Sequence, residues 1–320
     1  MNVLIATVHN GELSRLARER VVAVAGRDRV GEHVVVGDPT SADIILFVDS
    51  PENRQEWSRH GLRTHPFVRA HPGAVFVYDT RDEPLDSLPG LYMSMPHRRF
   101  DDSRHRAAGP LCLWNDTTAI RNDQPDLLFS FQGRRVQMDK GARRLRSVVL
   151  SLRHPRGLVE DTSQHDFFSN DRLALDAAEA AYREILGRSK FVLCPRGAGT
   201  SSYRMFETMA CGRVPVVLSD EWVAPGGIDW DSCAVRIVER DAADIATRLE
   251  ALEPVWEQMA EAARRVYDTW FAPVVVFHHA VERCRELSTS GAEGITPQWL
   301  IPAYWRAGAR HAKYRVRALR

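Results

Sequence analysis

The sequence predicts an α/β protein made of two doubly wound, Rossmann-like domains in tandem, facing each other across a cleft. Three observations carry that expectation. Short apolar runs recur through both halves of the chain, each near-continuous, as strands buried on both faces require. Helical segments separate successive runs, the order that builds a parallel sheet. Finally, 320 residues with 44 % apolar content exceed one ordinary domain and can fill two cores.

Taken in order, Val3 to Val8, His33 to Val36, Ile44 to Val48 and Ala74 to Tyr78 read as strands, with a helix over Leu13 to Ala25. From Asp101 to Pro125 the pattern lapses into a linker or long loop. A second series opens with LLFSFQG, Leu127 to Gly133, a strand and a glycine turn. A helix over Lys140 to Leu152 and a strand opening at Val159 come next. Leu173 to Leu186 is amphipathic and stops at Gly187, a residue suited to a helix C-cap. The series continues with a strand over 191–195, a helix over 202–211 and strands over 214–218 and Ala234 to Val238. Helices over Ala242 to Leu252 and Val255 to Thr269 complete it. The expected organisation is a first domain with its linker over 1–125, a second over 126–275, and a basic helical tail over 276–320 that packs back on the first.

Composition excludes several classes of function. The net charge of +1 argues against an acidic tail, a broad nucleic-acid surface or a nucleic-acid partner. Of 43 basic residues only Lys140, Lys190 and Lys313 are lysines, so 40 are arginines and a single arginine is weak evidence for an anion site. Five scattered cysteines without a C-x-x-C pair imply reduced thiols, with no disulfide frame and no metal site. No signal peptide or long apolar span follows Met1, so a soluble, cytoplasmic protein is expected, without a cofactor.

The stretch CPRGAGTSSYRMFETMACGRVPVVLSD, residues 194 to 220, carries the chemistry. A loop leaving a strand for a helix presents backbone N–H groups at the positive end of the helix dipole. Gly197 and Gly199 permit close approach, while Thr200, Ser201 and Ser202 add hydroxyls. Arg196 and Arg204 add charge, and Arg204 in a first turn opposes the dipole unless an anion offsets it. The plain alternative is a capped turn with an Arg204–Glu207 surface pair. A second alternative reads Gly197-x-Gly199-x-x-Ser202, with Asp220 ending the next strand, as a dinucleotide fingerprint, although its third glycine is missing.

From Ser189 to Trp230 the sequence SKFVLCPRGAGTSSYRMFETMACGRVPVVLSDEWVAP…IDW resembles the exostosin-type glycosyltransferases, whose pattern has S-x-F-x-L-x-P-R-G, R-x-x-E-A and G-x-x-P-V-V. Thr208 stands where that family usually has alanine. LLFSFQGRRVQ…GARRLR, residues 127 to 146, is similar to the family's F-x-G strand and arginine-bearing helix. The resemblance covers roughly residues 127 to 270 and implies a GT-B architecture, with a nucleoside-diphosphate sugar bound by the second domain and an acceptor by the first. It implies that Arg204 and the 197–202 backbone hold the diphosphate and that Glu207 takes the ribose hydroxyls. Gly133 would belong to the donor site, and a second arginine from Arg134, Arg143 or Arg146 would close over the phosphates. It further implies inversion at the anomeric carbon by a base from the first domain, without a metal; Asp229-Trp230-Asp231 spells D-x-D but falls at the family's tryptophan.

Three loops of the first domain have the right position for that base. They hold His9 and Glu12; Asp49 and Glu52; and Asp79, Asp82 and Glu83. The last is densest, and Asp82 and Glu83 rank ahead of Asp79 and then His9. Carboxylates after a strand are more often turn formers or caps, which is the plain alternative for each of these. Tyr92, His97, Arg98 and Phe100 offer a sugar-stacking wall or a plain packing loop. Residues 297 to 320 mix basic and aromatic residues with no acid, as a helix contacting an anionic membrane would on the inner face of the cell, or one packing on the first domain. The acceptor expected is a bacterial glycan, a lipid-linked glycan or a small molecule. Two rivals remain: a nicotinamide-dependent oxidoreductase using the 197–202 loop, and a sugar-nucleotide-binding protein without a base.

Overall fold

The computed structural model describes residues 1–8, 11–48, 62, 64–84, 86, 88–111, 124–135, 139–164 and 172–292. His9, Asp49, Glu52, Cys112 and the 297–320 segment lie outside the described residues.

Apolar runs become central strands here because both faces are covered. In the first sheet β1 (Asn2–Ala6), β3 (Ile44–Val48) and β4 (Val75–Asp79) are buried along their length, save Asn2. With the short β2 (Val34–Val35), β5 (Gly90–Tyr92) and β6 (His105–Ala107) they form a parallel sheet in the order β2-β1-β3-β4-β5-β6. The second sheet holds β7 (Leu127–Gly133), β8 (Gly157–Asp161), β9 (Ser189–Pro195), β10 (Val214–Leu218) and β11 (Val235–Arg236) in the order β11-β10-β9-β7-β8, again all parallel. In each sheet the chain steps outward once and then returns to build the other side. The reversal falls between β1 and β3 and between β7 and β9. Such a reversal leaves a crevice beyond the C-terminal ends of those two strands, where ligands of open α/β sheets bind. The doubly wound, two-sheet α/β architecture expected of a GT-B protein is present.

Three local readings are corrected. The stretch read as a linker from Asp101 contributes β6, paired parallel to β5. Leu88 to Asp101 contains β5, so Tyr92 is a core residue at 1 % exposure and donates its hydroxyl to the Leu88 carbonyl at 2.6 Å. Gly187 does not cap its helix, which runs Arg172–Arg188, because the Gly187 carbonyl accepts from Arg213 at 2.7 Å and Arg188 pairs with Asp126.

Helices α1 (Glu12–Ala25) and α2 (Pro66–Ala70) belong to the first sheet; α3 (Lys140–Ser151), α4 (Arg172–Arg188), α5 (Tyr203–Ala210), α6 (Ile245–Leu252) and α7 (Trp256–Val266) belong to the second. The last described helix, α8 (Val276–Thr289), crosses back. Its apolar stripe of Val276, Phe277, Ala280, Val281, Cys284 and Leu287 joins Val3, Ile44, Leu46 and Phe76 in the core under the first sheet. The two halves also meet directly. Met93 lies in the core of the second domain, and a Cβ on Gly109 would fall 2.7 Å from the Phe206 ring. No helix among the described residues is long and apolar enough to cross a membrane.

The seat of α8 yields a stability prediction. Phe277 is 1 % exposed, and Phe277→Ala removes a buried ring whose loss costs about 3–5 kcal/mol. Urea unfolding should register that loss as a lower midpoint; an unchanged midpoint would mean that the helix leaves the sheet in solution.

Candidate functional site

At the end of β9 the chain passes through residues 196–202 into α5. Ser202 holds the extended N-cap conformation but makes no side-chain capping bond. Thr200 Oγ1, Ser201 Oγ and Arg204 Nε are buried and lack any hydrogen-bond partner. An unmade bond of this kind costs about 1–3 kcal/mol, so three across the end of this loop and the first turn of α5 mark a place shaped for something polar.

Two arginines define what that is. Arg146 extends from α3 into the fork between β7 and β9. Its Nη1 donates to the Arg134 carbonyl at 3.0 Å, its Nε to Arg196 at 3.0 Å and its Nη2 to Pro195 at 3.2 Å. Arg204 of α5 donates Nη2 to the Gln132 carbonyl near the end of β7. Both guanidinium carbons approach the Phe131 ring, at 5.8 Å and 4.9 Å from its centroid. Among the described residues neither makes an ion pair. Burial and the neighbouring Arg204 charge pull the Arg146 pKa down to about 10, with Asp82 opposing. Two cations held together in part by neutral carbonyls and one aromatic face favour an anion between them.

Glu207 is not half of a surface pair. It is 6 % exposed and accepts from the Tyr182 hydroxyl of α4 at 2.9 Å. Burial first, and the Glu207 charge next, push the Tyr182 phenol well above its ordinary value, so it stays a donor. Arg196 proves to be a brace: Nε bonds Glu239 at 2.7 Å and Nη1 bonds Asp139 at 3.1 Å. Its charge is met by carboxylates 43 and 57 residues away, which no local pattern announces. Asp220 is likewise engaged, its Oδ1 accepting from the Glu239 amide at 2.9 Å, which weakens the dinucleotide reading.

Gly133 ends β7 where a Cβ would sit 2.6 Å from the Phe131 ring, so only glycine leaves room for the face that both arginines use. Of the arginines the sequence left open, Arg134 contributes its carbonyl and Arg143 stands exposed on α3; Arg146 is the one aimed into the fork. The helical period explains the choice, since Arg146 flanks the buried Ala142, Leu145 and Val149.

The opposing wall comes from the loop after β4. A Cβ on Gly199 would fall 2.7 Å from both Asp82 Oδ1 and Ser94 Oγ and 2.9 Å from Asp82 Cα. That glycine is therefore what lets the two domains close on each other. Asp82 and Glu83 are exposed residues of this loop. Asp79 is excluded as a base: it is 1 % exposed and clamped by Arg81, whose main-chain N and Nε both reach Oδ1 at 2.9 Å. The proposed sugar wall also dissolves. Tyr92 is buried, Phe100 sets its ring edge-on to His105, and the exposed Arg98 pairs with Glu221 at 3.0 Å. In the D-x-D stretch Trp230 is buried and donates to the Pro225 carbonyl at 2.9 Å, with Asp229 and Asp231 exposed on either side.

Tyr182→Phe deletes one hydrogen bond to a buried carboxylate and should lower stability by about 1.5–3 kcal/mol in urea. A wild-type midpoint would show that Glu207 is held entirely by other partners.

Comparison with known proteins places this chain in a family. The Exostosin GT47 domain matches residues 47–252. An Exostosin-1 homolog from Caenorhabditis elegans is 35 % identical over 184 residues, 52 % of this chain and 48 % of that protein. Exostosin-1 of Drosophila melanogaster is 34 % identical over 104 residues, 28 % of this chain and 14 % of the relative. The chain thus spans about half the length of the nematode relative. Among solved structures, a glycosyltransferase from Rickettsia africae aligns over 89 % of this chain and 98 % of its own, at 13 % identity and a TM-score of 0.44. The family match, over more than half of the chain and across both sheets, identifies this protein as a member of the exostosin GT47 family.

Proposed function

We propose that this chain transfers a sugar from a nucleoside-diphosphate sugar to an acceptor hydroxyl, with inversion and without a metal. One observation carries the reading: Arg146 and Arg204 converge at the β7–β9 fork beside the orphaned hydroxyls of Thr200 and Ser201, and among the described residues neither arginine makes an ion pair. A diphosphate supplies the missing charge and accepts from Thr200, Ser201 and the free N–H of Arg204. In this reading residues 126–275 take the donor and residues 1–125 the acceptor. Glu207, at the base of the same helix face, would face the ribose.

The chemistry follows from charge placement. The acceptor oxygen attacks the anomeric carbon from the face opposite the diphosphate as its proton passes to a base. The bond to the departing phosphate oxygen breaks, and its electron pair stays with the diphosphate. Negative charge builds where the two guanidinium groups already point, so little reorganisation accompanies the step. Asp82 suits the base because its loop meets the donor loop at Gly199 while Asp79 is spent on Arg81. The acceptor is a glycan, a glycolipid or a small molecule.

Thermal shifts with UDP, GDP, dTDP, NAD and NADP test the pocket. A nucleoside diphosphate at one hundred times its Kd should add about 2.7 kcal/mol, and Arg146→Met or Arg204→Met should each abolish most of that gain. Stabilisation by NAD or NADP alone would overturn the reading. Asp82→Asn should keep the shift yet slow nucleoside-diphosphate release in the presence of acceptor by about 10²–10⁴; an unchanged rate would move the base to another residue. Full binding with no turnover on any acceptor would reduce the protein to a binder.

A further inference from the structure

At the opposite end of the first sheet, away from the crevice, a second cluster of donors comes together. The crevice lies beyond the C-terminal ends of the strands, whereas His33 immediately precedes β2 and so stands at the N-terminal end. Its neighbour Glu32 and two residues of α8, His278 and Glu282, complete the group. His278 and Glu282 are one helical turn apart, so both reach the same point from one helix face.

We propose that Glu32, His33, His278 and Glu282 form a binding site for a divalent transition metal of zinc type, unrelated to sugar transfer. The donor atoms of Glu32, His33 and His278 lie within 4.8 Å of one another. His33 Nε2 is 3.5 Å from Glu282 Oε1, and His278 Nδ1 is 3.9 Å from Glu32 Oε2. Ligands around a tetrahedral zinc at ~2.0–2.1 Å stand ~3.3 Å from each other, so His33 and Glu282 are already near that spacing, while His278 and the exposed Glu32 must draw in by up to ~1.5 Å. Two imidazoles and two carboxylates are also the donor types that zinc takes, and two carboxylates neutralise its charge.

The second observation is an unmet need at the same place. The His33 side chain is 2 % exposed, yet its Nε2 lacks a hydrogen-bond partner, and so does the buried Nδ1 of His278. The two rings stack at 5.0 Å with only 19° between their planes, which holds them side by side. A protein that wanted these rings only for packing would have given the inner nitrogens partners. The surroundings also orient the donors. The other ring nitrogen of His33, Nδ1, faces the Met1 nitrogen at 3.4 Å, which leaves Nε2 for the cluster. Arg285 Nε holds Glu282 Oε2 at 3.0 Å, which leaves Oε1 toward His33. Glu32, at 65 % side-chain exposure, provides the way in. A bound ion would pin the first turn of α8 to the edge of the first sheet, stabilising the crossing that joins the two domains.

The test uses the full chain, stripped with a chelator and dialysed, with Zn²⁺ titrated by calorimetry and Co²⁺ by visible absorption. Wild type should bind one Zn²⁺ per chain and give the intense visible bands of a tetrahedral Co²⁺ site. His33→Ala and His278→Asn should each weaken binding by about a hundredfold or more, since even second-layer partners of a metal are worth up to that much. Where His33→Ala fails to fold, His278→Asn decides alone, with its melting curve as the control for folding. No heat above the dialysis blank in wild type overturns the proposal, and so does Zn²⁺ binding that survives undiminished in the histidine variants.

Discussion

The structure turns on the confinement of two like charges at one fork. Arg146 and Arg204 arrive from different helices, yet both are held by carbonyls at the ends of β7 and β9 and both lie against Phe131. Carbonyl dipoles and a ring face attract a guanidinium, but they do not cancel its charge. Burial first, and the Arg204 charge second, lower the Arg146 pKa, whereas that of Arg204, despite its burial, is raised by Tyr182, Cys194 and Glu207. The surrounding fold works to keep the pair together. Gly133 clears the space that the Phe131 ring occupies, and the parallel pairing of β7 with β9 fixes the separation of the carbonyls.

That confinement explains the division of labour among the remaining charged groups. Arg196, next to the loop glycines, is neutralised by Asp139 and Glu239 and so anchors the loop to α3 and to the segment after β11. Glu207 is kept beneath the helix by Tyr182 and does not neutralise Arg204 by a surface contact. The local charge thus leaves the two guanidinium groups without an ion-pair contact among the described residues, with Glu207 and Asp82 acting on them only at longer range.

Closure across the crevice depends on small residues and on one returning helix. Gly199 admits the Asp82 loop, Gly109 admits the Phe206 ring, and α8 shares the core of the first sheet after the chain has completed the second. A side chain at either glycine would hold the domains apart, and loss of the α8 seat would release the link between them. The histidine and glutamate cluster lies on that same link, at the edge far from the crevice.

Much of this was legible in the residues, and the remainder divides along a clear line. Properties carried by neighbours in sequence could be read directly. Both faces of β3 and β4 are buried because their apolar runs are unbroken, and the 196–202 loop meets α5 as its glycines and hydroxyls imply. Properties that depend on distant partners could not. Arg196 and Asp79 read as site residues until Glu239, Asp139 and Arg81 took up their charges, and among Arg134, Arg143 and Arg146 only the packing of α3 selected one. The short β5 and β6 were hidden because a three-residue strand has no period to detect, and pairing alone makes it a strand. The sequence by itself determined the two wound sheets and the polar loop, since local pattern and backbone sterics suffice for those. Only the tertiary structure decided which charges stay unpaired, because electrostatic compensation is settled by distance in space, and the chain order carries no record of it.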